Sequence, residues 1–129
     1  MATAAKIQVI IVDDQLTIRA LVRTSLQQIG IVNVREFGSA AEALQNVQVQ
    51  PAHIIVSDFN MPEMDGLEFL KKLRANPQMQ NTAFILLTGR ADKELVARAL
   101  QFGANNYLVK PFTVAVLKQK IEQVVGALT

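Results

Sequence analysis

Four short, nearly continuous apolar stretches, KIQVIIV (6–12), HIIV (53–56), AFILL (83–87) and YLV (107–109), are the feature that most limits what this chain can fold into. A strand with one face in water alternates apolar and polar side chains. A strand without that alternation must be covered on both faces, as in a parallel sheet enclosed by helices. A fifth stretch, NVREF (33–37), is broken by Arg35 and Glu36 and suits an edge.

Helical patterns fill the intervals. Residues 17–29 place Ile18, Leu21, Val22, Leu26 and Ile29 on one face and close at Gly30. Ser39-Ala40-Ala41-Glu42 and Asp65-Gly66-Leu67-Glu68 have the form of capping boxes. Asp92 is placed to cap a helix running through Leu95, Ala99 and Phe102 before Gly103, and a last helix carries Val114, Leu117, Ile121, Val124, Val125 and Leu128. Five βα units joined by right-handed crossovers predict a three-layer (βα)5 sandwich of flavodoxin-like architecture. The polar edge candidate early in the chain favours strand order 2-1-3-4-5.

At 129 residues, half of them apolar and 19% charged, the chain can bury one substantial core and is no disordered tail. A net charge of +2, 5% aromatics and no Trp argue against a nucleic-acid partner. The absence of cysteine removes disulfides and thiolate metal sites. No apolar run approaches the ~20 residues of a membrane span. The opening MATAAKIQVIIVDD is not built as a signal peptide, so the expected location is the cytoplasm.

In open α/β sheets function collects at the carboxyl ends of the strands. There this chain carries Asp13-Asp14 after the first strand, Asp58 after the third, Thr88 after the fourth and Lys110 after the fifth. Taken singly, each has an ordinary explanation: the aspartates as helix caps or turns, the lysine as a solvated charge. Together they form one polar rim. Three carboxylates there carry a charge of about −3, and their repulsion raises at least one pKa. A hard divalent cation relieves it, and Mg2+ favours a couple of carboxylates, some waters and a phosphate oxygen. An aspartate so placed can attack phosphorus, with Lys110 and the hydroxyl of Thr88 meeting the transferred oxygens.

Asp13-Asp14, SDFNMPEMDGLEFL, LLTGR and GANNYLVKPFT resemble the signature of response-regulator receiver domains, across essentially the whole chain and most closely the stand-alone chemotaxis type. Known members of that family supply a standard example of the 2-1-3-4-5 order, so the topology is an inherited expectation. The resemblance implies one receiver domain over 1–129 with no output domain, and Asp58 as phosphoacceptor. It further implies Mg2+ on the side chains of Asp14 and Asp58 and the backbone carbonyl of Asn60, with Asp13 acting mainly through water. Pro62 and Asp65-Gly66 would shape the loop that presents that carbonyl. Thr88 and Lys110 would contact the phosphoryl group, and Lys110-Pro111 would be the family's usual cis peptide. Thr88 and Tyr107 would form the switch that alters the face of helix four, strand five and helix five, which Lys93, Arg98, Lys118 and Lys120 would line. Asn60 and Arg90 would set phosphate lifetime; Arg90 stands where chemotaxis relatives often carry an acid.

The partners implied are a histidine kinase as donor, the flagellar motor switch as target and a phosphatase for dephosphorylation. The chain would catalyse its own phosphorylation and dephosphorylation without being a turnover enzyme. A phosphate sink for a shared kinase, or an adaptor outside motility, would use the same chemistry. A flavodoxin-like FMN carrier needs backbone donors after strand one, where DDQLT instead presents two negative charges. A haloacid-dehalogenase-like phosphatase needs its nucleophile in a DxD after that strand, and none is present. His53, the only histidine, opens strand three on the rim opposite the acids and reads as a surface or edge residue.

Overall fold

The computed structural model describes residues 2–89 and 92–129. Five strands, β1 (Gln8–Val12), β2 (Asn33–Phe37), β3 (Ile54–Asp58), β4 (Ala83–Thr88) and β5 (Asn106–Val109), pair in parallel in the order β2-β1-β3-β4-β5. After them in turn come α1 (Leu16–Ile29), α2 (Ala40–Val49), α3 (Gly66–Ala75), α4 (Lys93–Gln101) and α5 (Val114–Val125). The interrupted strand is indeed an edge, and the expected order holds. No helix among the described residues is long and apolar enough to cross a membrane.

The continuous apolar runs are explained by two cores, one on each face of the sheet. Ile10, Val12, Ile55, Phe84 and Leu86 point into one, with Ala43 and Val47 of α2, Leu70 and Leu73 of α3 and Ala99 of α4. Their strand neighbours Val9, Ile11, Ile54, Val56, Ile85 and Leu87 point into the other, with Val22 and Leu26 of α1 and Leu117 and Ile121 of α5. Successive strand residues alternate faces, and both faces are dry, so alternation is invisible in the sequence. Within the first core the rings of Phe69 and Phe84 meet edge to face, 5.8 Å between centroids. Such a pair is worth ~0.5–1.5 kcal/mol beyond its buried area.

The predicted caps form. The Ser39 side chain accepts from the Glu42 amide at 3.3 Å and Asp65 from the Glu68 amide at 2.9 Å. Asp92 accepts from the amides of Glu94 and Leu95. Several boundaries differ from the sequence reading. A 3-10 turn, Ala4–Lys6, takes the residues before Gln8. Helix α5 stops at Val125 because Gly126 adopts φ 90, and Leu128 instead lies beside Ala2, whose amide donates to the Ala127 carbonyl. Strand β3 runs two residues past its apolar letters and β4 one past its own, so Asp58 and Thr88 are the last strand residues rather than the first beyond them.

Candidate functional site

Each strand delivers its polar residue to the rim through the ladder that holds it. Asp58 pairs with Leu87 across β3 and β4, and Thr88 pairs with Val109 across β4 and β5. The Lys110 amide then donates to the Thr88 carbonyl at 2.7 Å, which continues the β4–β5 pairing to the lysine. The Lys110–Pro111 bond is cis, as the resemblance implies. Just past β1 the Asp13 amide donates to the Phe37 carbonyl of β2, and the Asp13 carboxylate accepts from the Gln15 amide at 2.8 Å in the turn that leads into α1.

The three acids converge. One carboxylate oxygen from each of Asp13, Asp14 and Asp58 lies within 4.8 Å of the other two. Lys110 Nζ donates to Asp58 Oδ1 at 3.0 Å and sits 3.9 Å from Asp13 Oδ2. Asp13 and Asp58 are buried, whereas Asp14 is exposed at the mouth of the cluster. Burial is the largest influence on Asp58 and raises its pKa, partly offset by the hydrogen bond and charge of Lys110; the Asp14 charge raises it further. Asp13 is likewise raised, first by burial and then by the Asp58 charge, against the lowering effect of the Gln15 amide.

Asp13 Oδ2 is the telling atom. It is buried and accepts no hydrogen bond from any described residue. Leaving such an acceptor bare costs ~1–3 kcal/mol, more when it is charged. An unsatisfied anionic oxygen beside two further carboxylates and an ammonium fits a hard cation carrying water, on donor chemistry alone.

The β3–α3 loop is shaped around Asp58. A Cβ on Gly66 would stand 2.6 Å from the Asp58 carbonyl oxygen, closer than real contacts allow, and the Gly66 amide donates to the Phe59 carbonyl at 2.9 Å. The sequence reading took Asp65-Gly66 as a capping box and as part of the loop presenting the Asn60 carbonyl; the glycine is also needed so that α3 can start against the acceptor's own backbone. Asn60, exposed in the same loop, lines a groove of about 440 Å3 with Phe59, Thr88, Gly89, Leu95 and Arg98. Thr88 is buried at the inner wall of that groove. Arg98, expected on the α4-β5-α5 face, therefore belongs to this rim groove, because its side of α4 faces the β3–α3 loop. Arg90 lies outside the described residues.

Tyr107 occupies a second groove, about 320 Å3, with Lys93, Val96, Ala97 and Leu100 of α4. Its ring is half-buried against the α2-α3-α4 core, and Lys120 Nζ lies 4.0 Å from its centroid. The rim groove and the tyrosine groove thus lie on different sides of α4, with Thr88 two register pairs beyond the Leu86–Tyr107 pair. His53 lies at the other rim, exposed, and its Nδ1 accepts from the Gln8 amide at 2.9 Å. It helps close the base of the sheet, which its position in the sequence did not reveal.

Residues 9–122 match the response regulator receiver domain family. A probable chemotaxis protein CheY of Rhizobium etli is 48% identical, over 99% of both chains. Chemotaxis protein CheY1 of Helicobacter pylori is 38% identical, over 92% of this chain and 97% of that one. Among solved structures, chemotaxis protein CheY4 of Vibrio cholerae superposes with a TM-score of 0.85 at 35% identity, covering 92% of this chain and 98% of that one.

Proposed function

This chain belongs to the response regulator receiver family, and we propose that it takes a phosphoryl group from a histidine kinase onto Asp58 and relays it to a chemotaxis target. The observation that carries this reading is the contact of Lys110 Nζ with Asp58 Oδ1 at 3.0 Å inside the three-acid cluster. Chemotaxis is favoured because the Rhizobium etli and Helicobacter pylori relatives, matched over 99% and 97% of their length, are chemotaxis proteins by name.

Mg2+ would be held by the side chains of Asp14 and Asp58 and the Asn60 carbonyl, with Asp13 reached through water. Once bound, it supplies charge neutralisation for both the acids and the incoming phosphoryl oxygens. The remaining work falls to the chain. A carboxylate oxygen of Asp58 attacks phosphorus, the P–N bond of the donor phosphohistidine breaks, and its electron pair stays on the imidazole nitrogen. Lys110 is already aligned on Asp58 and offsets the negative charge of the resulting acyl phosphate. Thr88, at the end of β4, meets a phosphoryl oxygen through its hydroxyl. Asn60 and Arg90 set how readily water hydrolyses the acyl phosphate to free Asp58 and inorganic phosphate, spontaneously or with a phosphatase.

The signal passes from Thr88 to Tyr107. Phosphorylation shifts a pre-existing equilibrium of the Tyr107 ring by the difference in how the two states meet the phosphate. The readout is the face of α4, β5 and α5, where the groove beside Tyr107 would receive a segment of the flagellar motor switch. Titration of a motor-switch peptide, with and without beryllofluoride as the phosphoryl mimic, tests this. Affinity that rises with the mimic supports the reading; equal affinity rejects the motor target and leaves the phosphate-sink role to a swimming assay of a deletion strain.

A further inference from the structure

The loop that presents the two early acids is closed by a residue the sequence does not point to. Three hydrogen bonds make a ring around residues 13–19. The Gln15 amide donates to Asp13 Oδ1 at 2.8 Å, the Arg19 amide donates to the Gln15 carbonyl at 3.1 Å, and Arg19 Nη1 donates to the Asp13 carbonyl at 2.7 Å. Asp14 lies inside this ring. Val12–Phe37 is the last register pair of β1 and β2, so the Asp13 carbonyl is handed from the sheet to the Arg19 guanidinium.

The guanidinium is itself held. Arg19 Nε pairs with Glu36 Oε1 at 3.3 Å, and Arg23, one turn further along α1, pairs with the other oxygen of Glu36. Gly38 leaves room for it: a Cβ there would stand 3.3 Å from Arg19 Nη1. A planar fork suits this double duty better than a lysine's point charge. We infer that Arg19, clamped by Glu36, is a positioning residue that fixes the Asp13–Asp14 peptide and thereby sets the affinity of the rim for magnesium. This rests on the reading of the rim as a magnesium site. Partners one shell out from a metal's ligands typically change its affinity by about 10–100-fold when lost.

Charge and position make opposite forecasts here. Deleting a cation near three carboxylates would by Coulomb's law alone strengthen divalent binding. Loss of the ring would weaken it. Magnesium is therefore titrated calorimetrically into the parent chain, Arg19→Gln and Arg19→Lys without any phosphodonor, alongside their melting curves. Acetyl phosphate labelling rates are then taken across magnesium concentrations. The expected result for Arg19→Gln is an affinity about tenfold weaker, with the labelling rate at saturating magnesium within about twofold of the parent, since Asp58 and Lys110 are untouched. Arg19→Lys, which keeps the charge but cannot serve both acceptors, falls between.

A folded Arg19→Gln that binds magnesium as tightly as the parent, or more tightly, overturns the inference. Should that variant lose its cooperative melt, parent-like affinity in Arg19→Lys does the same. A parent chain that binds no magnesium defeats the underlying reading of the rim, and the inference with it.

Discussion

The two rims of the sheet are built from the same strands and to opposite ends. At the amino end the polar groups are paired. His53 accepts from Gln8, Asn105 accepts from the Phe84 amide, and Arg74 donates to the carbonyls of Gly103 and Met79 and to Asn105 Oδ1. The Thr129 amide donates to the Ala2 carbonyl and the Ala4 amide to the Thr129 carbonyl. At the carboxyl end, buried acids are crowded together, one of their oxygens has no hydrogen-bond partner among the described residues, and burial lifts the pKa of both Asp13 and Asp58. The contrast shows that pairing in this fold is a local choice: the base is satisfied, and the rim is left short of positive charge.

The largest expected effect comes from removing the acceptor. Asp58→Asn should abolish phosphoryl incorporation, read by intact mass, while raising the melting temperature of the metal-free protein by roughly 3–5 °C, the shift ~1 kcal/mol produces at this chain length. The sign follows from the raised pKa. The native state holds its proton more tightly than the unfolded chain, so stability falls as pH rises from the ordinary carboxylate value of 3.8 through the raised one. Metal-free parent protein should accordingly gain stability on mild acidification from this group, and magnesium should shrink that gain. An Asp58→Asn chain melting below the parent would break the comparison at its root.

Next in size is Lys110→Met. Loss of the ammonium that meets Asp58 should slow phosphoryl acceptance by about 10²-fold, the scale of one lost charge-stabilising donor. It should also raise the Asp58 pKa further, measurable by NMR titration of the carboxyl carbon. At the base, Arg74→Met strips partners from two backbone carbonyls and should cost ~2–3 kcal/mol of stability in denaturant. Phosphorylation of the molecules that remain folded should keep its parental rate and magnesium dependence. Changed magnesium dependence there would mean that the rims are not separable. The smallest effect belongs to His53→Ala, which deletes one exposed hydrogen bond and should cost ~1 kcal/mol or less, with labelling untouched.

The sheet was legible because its logic is written in residue types. Unbroken apolar runs told of two covered faces, and the interruption at Arg35 and Glu36 told of an edge. The capping boxes at Ser39 and Asp65 were equally readable, since a cap is a local bargain between neighbours. The acids, Thr88 and Lys110 could be placed on one rim because strand ends carry position.

What escaped the sequence is contact at a distance. Gly66 looks like half of a turn, and only the approach of α3 to the Asp58 carbonyl shows its second use. Arg19 looks like a solvated helix charge until its guanidinium is seen on the Asp13 carbonyl. Arg98 was assigned to the wrong side of α4, because a helix face is fixed by what packs around it. The end of α5 was overrun since Leu128 keeps the helical apolar spacing, while Gly126 and the pairing with Ala2 end the helix first.

The central claim is that the crowded rim exists to take a metal and a phosphoryl group on Asp58. Its most direct test is the mass of the intact chain after incubation with acetyl phosphate, with magnesium or with EDTA. The account predicts the gain of a single phosphoryl group in magnesium, located by borohydride reduction to the peptide carrying Asp58, and no gain in EDTA. A gain independent of magnesium, a label on another residue, or an unchanged mass in magnesium would contradict it.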